Sequence, residues 1–85
     1  MSETFVKKNV KLSLEFDNYL VKHPQLFDSI PNGAYVVITI NDDARFNAQS
    51  MSLIKDKRRK KIVEAHRAGS TWHVSPLRLS EIKAA

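Results

Sequence analysis

The sequence predicts a small α/β (or α+β) domain: a helix, a short helix, then a strand–helix–strand unit with a two-stranded parallel sheet. Three observations carry this. Between Val6 and Val21 the apolar residues recur at helical spacing. AYVVITI, residues 34–40, is a β-branched, almost wholly apolar run without alternation, the pattern of a strand covered on both faces. A second helical pattern, Ala44 to Ala68, then separates that run from a short alternating segment, Thr71 to Ser75.

Each element has its own justification. Residues 1–5 read as a loose terminus. In the first helix, Val6, Val10, Leu14 and Val21 lie near one line, and Leu12, Phe16, Tyr19 and Leu20 near an adjacent one. Together they make an apolar face wider than a lone surface helix needs. His23-Pro24 ends the helix, because the residue before proline is pushed out of helical geometry. Pro24 suits the first turn of a short helix, PQLFDS, anchored by Leu26, Phe27 and Ile30. Pro31-Asn32-Gly33 is a turn signal before the first strand. Asn41-Asp42-Asp43 stops that strand, and an Asp there can cap the helix that follows. Gly69 is placed as the C-terminal cap of the long helix, with Arg67 in its last turn. Pro76 ends the second strand or marks an edge, and residues 77–85 form a short helix or a mobile tail.

Composition narrows the function classes. With 85 residues the chain is one domain, residues 1–85, and its core is small for its surface. It has no cysteine, so no disulfide staples it. Small unstapled chains often gain the missing burial by oligomerising. No apolar run approaches the roughly 20 residues that span a membrane, and no apolar stretch follows Lys7-Lys8 as in a secretory signal. The expected location is the cytoplasm. A hydrophobic share of 42% suits a folded domain, and a net charge of +5 favours acidic partners.

The candidate sites follow. KDKRRKK, residues 55–61, is either a solvated helix surface or a phosphate-binding one formed by Lys55, Lys57, Arg58, Arg59, Lys60 and Lys61. No aromatic residue interleaves the run, so binding through it would be to the backbone of a nucleic acid, with little sequence preference. Asp42 and Asp43 are explained by capping. His23, His66 and His73 are far apart without a ligand spacing, so no metal is expected. No serine carries a nucleophile motif, and so small a chain has little room for a pocket. No enzyme activity and no cofactor are expected. Trp72, with Tyr35 and Phe46, is most simply a core aromatic; exposed on an edge strand, Trp72 and Val74 would instead mark an interface.

The segment H-P-x-L-x-D-x-I-P-x-G-A, His23 to Ala34, joins Leu12, Leu14, Glu15-Phe16, Tyr19-Leu20 and Val36-Val37 in a pattern. Over residues 9–75 that pattern resembles a small bacterial and archaeal family known as a domain of unknown function. Asp42, Asp43 and Gly69 also fit; the basic run and the residues after Pro76 do not. The resemblance implies the fold and contains no catalytic set.

A marginal core with two open strand edges points to a small non-enzymatic interaction module that self-associates, its sheet extended by a second copy. The alternative is non-sequence-specific nucleic-acid binding through the basic run. An accessory protein of the toxin–antitoxin kind, binding both a partner protein and nucleic acid, would join the two.

Overall fold

The computed structural model describes residues 3–55 and 61–77. It contains helix α1 (Glu3–Lys22), a 3-10 helix (Pro24–Ser29), strand β1 (Tyr35–Ile40), helix α2 (Ala44–Ser52), and strands β2 (Ile62–Ala68) and β3 (Thr71–Pro76). The class is α+β with a three-stranded mixed sheet in the order β1-β2-β3. β1 and β2 are parallel, and β2 and β3 antiparallel.

One expected element is corrected. The long helix from Ala44 to Ala68 does not exist: α2 stops at Ser52, and Ile62–Ala68 is the central strand. The parallel partner of β1 is therefore β2 and not Thr71–Ser75, and the sheet has three strands. IVEAHRA has no helix breaker, and its Ile62 and Ala65 continue the apolar spacing of Met51 and Ile54. Pairing on both sides decides the matter, since strand preference depends on cross-strand neighbours more than on the residue itself. Gly69 caps no helix. It has φ +64 at the first position of the two-residue Gly69-Ser70 turn between β2 and β3, the position where a II′-type hairpin turn requires a positive φ.

The register separates the two faces of the sheet. Ile38 opposes Ala65, and Ala65 opposes Val74. α1 covers this face. Phe5, Leu12, Phe16 and Leu20, spaced 7, 4 and 4 residues apart, pack with Ile38, Phe46, Ala65 and Trp72. The Phe16 and Trp72 rings lie 5.0 Å apart, and those of Phe5 and Phe46 5.1 Å apart. Phe5 is thus a core residue, and α1 begins at Glu3, inside the segment expected to be loose. On the opposite face, Val37, Ile54 and Ile62 form a smaller cluster, packed by Tyr35, Met51 and Leu77. Leu77, expected to open a short helix or a mobile tail, also donates its N–H to the carbonyl of Ile62 at 2.9 Å. Cover on both faces explains why Val37, Ile38 and Thr39 are buried in succession.

α2 lies along the outer edge of β1. The Tyr35 N–H reaches Lys61 O and the Asn41 N–H reaches Arg67 O, so odd-numbered residues of β1 bond β2 and even-numbered ones point outward. At Ile40 the outward groups meet the Asn47 carboxamide. Its Oδ1 accepts from Ile40 N–H at 2.8 Å, and its Nδ2 donates to Ile40 O at 2.7 Å. One side chain thereby imitates a neighbouring strand. We expect Asn47→Ala to lower stability by about 1–3 kcal/mol, because it strips both partners from a part-buried peptide group. A shift of the urea midpoint at unchanged m-value would show it; an unmoved midpoint would mean that water serves Ile40 equally well.

Candidate interaction surfaces

The basic run connects α2 to β2. Leu53 and Ile54 form the turn after α2, with Ile54 fully buried. Lys55 and Lys61 are exposed on either side. Lys57, Arg58, Arg59 and Lys60 lie outside the described residues. α2 ends at Ser52 and β2 begins at Ile62, so the run belongs to the crossover between parallel strands and not to the expected single helix from Ala44 to Ala68.

The acidic turn does what capping requires. Asp42 takes a left-handed φ of +63, which Asp tolerates better than most residues. Asp43 accepts from the Phe46 N–H at 3.0 Å at the start of α2. Its other carboxylate oxygen pairs with the Lys8 ammonium of α1. The Lys8 hydrogen bond, and after it the Phe46 N–H, hold the Asp43 carboxyl below the usual carboxylate range. Both oxygens are engaged within the fold, and among the described residues no group of His, Cys, Asp and Glu side chains could hold a metal ion.

The histidines sit in three unlike places. His23 stacks on Tyr19 at the end of α1, with ring centroids 4.0 Å apart. His66 is on β2, not on a helix surface. His73 is exposed on β3, directly opposite His66. On the sheet face away from α1, Thr39 is 3% exposed and joins two neighbours of β2. Its hydroxyl donates to Glu64 at 2.5 Å and lies 2.7 Å from His66 Nδ1, while His66 Nε2 lies 2.7 Å from Asn41 Oδ1. The chain Glu64–Thr39–His66–Asn41 links β1 to β2, running from the middle of β2 to the residue after β1. Thr39 is too enclosed to be a nucleophile, so the arrangement is a polar clasp between β1 and β2. The sequence reading missed it. The available signal was the alternation of Glu64 and His66 with Val63 and Ala65, a period of two inside a presumed helix.

Trp72 and Val74 are placed by their side chains in the core. Trp72 is 3% exposed, and Val74 packs against the same cluster. As side chains they offer little to another molecule; their backbone is another matter. β3 is an edge strand, and no described hydrogen bond reaches it from outside the sheet apart from the hairpin's own ladder. Its sequence, TWHVSP, carries no charge.

Among the described residues most of the exposed large apolar side chains are on α1. Val6, Val10, Leu14 and Val21 are 45%, 53%, 60% and 75% exposed. The broad face read from the sequence is thus split: one line is buried, the other faces out. A single layer of short strands meets only one stripe of a helix, and nothing in the described fold reaches the second. Phe27, 53% exposed, stands beside this row. It rims an apolar groove of about 300 Å³ with Phe16, Leu20, Ile30 and Val36.

The Thr39 clasp is testable. Thr39→Val keeps the shape but leaves Glu64 and His66 without their shared hydroxyl. Their side chains are 27% and 33% exposed, so water can take over part of the bonding. The expected loss is about 1 kcal/mol, at the low end for a removed partner, with Thr39→Ser closer to the parent in urea unfolding. Equal losses in both variants would locate the effect in the methyl group.

Among the described residues no helix is long and apolar enough to cross a membrane. A model described as a family of unknown function (DUF5647) matches residues 4–63. The span takes in α1, the 3-10 helix, β1, α2, the basic run and the first two residues of β2. No curated protein and no solved structure matches the chain. With a match running from the first turn of α1 into the central strand, well over half its length, the chain belongs to this family of unknown function.

Proposed function

We propose that the chain is a small non-enzymatic interaction module of the cytoplasm that self-associates through the open edge of β3. One observation carries this reading: the two edges of the sheet are treated differently. α2 lies along β1 and Asn47 closes it at Ile40. The 3-10 helix packs near β3, but no described backbone hydrogen bond reaches the strand from it; the strand carries no charged side chain, and charges are the usual guard against pairing with another strand. The apolar row on α1 is a separate surface. The flank of α1 nearest the hairpin is Glu15, Tyr19 and Lys22, beside Arg67 and Trp72, whereas the groove lies on the other flank. A dimer joined at β3 therefore still presents the row to a partner protein.

The expected solution state is a dimer by light scattering, and Leu14→Glu is expected to keep that mass while lowering adhesion to apolar surfaces. A monomer at high concentration would sink the reading. A monomer for Leu14→Glu alone would move the interface to α1.

A second reading, nucleic-acid binding, is favoured by the exposure of Lys55 and Lys61 at the two ends of the basic run. Neutralising the six basic positions should then weaken binding to random-sequence DNA or RNA and flatten its salt dependence. Unchanged affinity would remove the basic run from the function.

A further inference from the structure

We infer that the partner at β3 is a second copy of this chain in one antiparallel register, with His73 on the two-fold axis. This rests on the self-association reading and goes further: it fixes which residues meet. Ala68 and Thr71 flank a two-residue turn, so they are the first hydrogen-bonded pair of the hairpin. Alternation makes His66–His73 and Glu64–Ser75 bonded pairs as well. The Leu77 N–H bond to Ile62 O continues the same phase beyond them. Arg67–Trp72, Ala65–Val74 and Val63–Pro76 are then the non-bonded pairs. The N–H and C=O of Trp72 and Val74 accordingly point away from β2, toward the free edge.

Pro76 is the next residue in that outward series and has no N–H to offer. In the other direction the series runs into Ser70, in the turn. The usable edge is thus the backbone of Trp72 and Val74, and the register follows by elimination. Trp72 opposite Val74 of the second copy, and the reverse, engages every outward N–H and C=O of both residues. A shift toward the turn would call on Ser70. A shift toward the strand's end would call on Pro76 for an N–H it lacks. The two-fold axis of the surviving register passes through His73.

The pairing suits the side chains. His73 is exposed, on the face away from α1, between exposed Thr71 and Ser75. It would meet His73 of the second copy at a non-bonded site, with the Cα atoms about 4.5 Å apart. The charged or titratable neighbours on that face are His66, directly opposite on β2, and Glu64, one pair further along. Neither lies on the free edge. Core side chains stay where they are, because only the backbone of Trp72 is used. The product is a continuous six-stranded sheet whose open face carries the clasp of each copy beside the facing His73 pair.

The chain has no cysteine, so single cysteines report the register directly. His73→Cys should give a disulfide-linked dimer under mild oxidation, since Cα atoms about 4.5 Å apart lie within bridging range. Thr71→Cys and Ser75→Cys should not. In this register each faces the other position, and its own copy lies about 13 Å away along the strands. Light scattering on the unmodified chain runs beside this. A dimer with cross-linking confined to His73→Cys supports the inference. A dimer in which His73→Cys links no better than Thr71→Cys overturns the register and leaves self-association standing. A monomer that fails to link overturns both. As a second variant, His73→Lys sets like charges directly opposite and should raise the dimer's Kd about five-fold; an unchanged Kd would also overturn the register.

Discussion

Strand β2 has its backbone taken on both sides, parallel by β1 and antiparallel by β3, and the rest of the structure is arranged around that double pairing. A parallel neighbour demands a crossover, which α2 and the basic connection supply. An antiparallel neighbour needs only the two residues Gly69 and Ser70. Because β2 is central, its apolar residues are buried from both faces: Val63 and Ala65 on the α1 side, Ile62 on the other. Placed at an edge, the same residues would have left Phe16 and Trp72 without the floor on which their rings meet.

The two faces of this sheet are then finished by different physics. α1 closes one with aromatic and aliphatic side chains, and two ion pairs tie it to the neighbouring elements. Lys8 pairs with Asp43 at the start of α2, and Glu15 with Arg67 beside the hairpin at 3.1 Å. The other face is apolar only over its first half, under Ile54, Met51 and Leu77. Its second half is finished by the hydrogen bonds that the Thr39 hydroxyl makes with Glu64 and His66. That division lets a short chain cover a sheet with one long helix and one short one. It also explains why the row Val6, Val10, Leu14 and Val21 faces outward: no second layer among the described residues receives it.

Local chemistry was legible in the sequence wherever it decides the outcome alone. The end of α1 at His23-Pro24, the proline-led short helix, the run that became β1 and the Asp43 cap all follow from residue type and neighbours. The division of residues 44–68 into a helix and a strand does not. Ser52 to Ile62 contains no glycine or proline, and Ile54, Ile62 and Ala65 are buried as a helical wheel suggests, but by two different elements. What fixes Ile62–Ala68 as a strand is its match to β1 on one side and β3 on the other, which is information held elsewhere in the chain. The same holds for the clasp. Thr39 sits in an apolar run, and its partners Glu64 and His66 are 25 and 27 residues away. For Trp72 and Val74 the sequence pointed to the right strand for the wrong atoms: their side chains belong to the core, and their backbone groups form the edge.

The span matched by the family ends at residue 63, just inside β2. The matched part contains α1 with its exposed row, the Asn47 closure of β1, and the basic connection. It lacks Ala65, Trp72 and Val74, which complete the core that α1 packs against. Without them Phe16 loses the Trp72 ring it packs on, and α1 keeps only the β1 side of its floor. The later residues are therefore part of the core here, and they bring the open edge and two of the three histidines with them. Completing the core by a hairpin rather than by a second crossover has one consequence for association. A hairpin ends the sheet in an antiparallel strand, and an antiparallel strand can meet a copy of itself across a two-fold axis. A sheet ended by another parallel crossover would have its last strand beside a helix, with less edge to offer. In this chain the segment that finishes the core is the one that leaves the sheet able to continue.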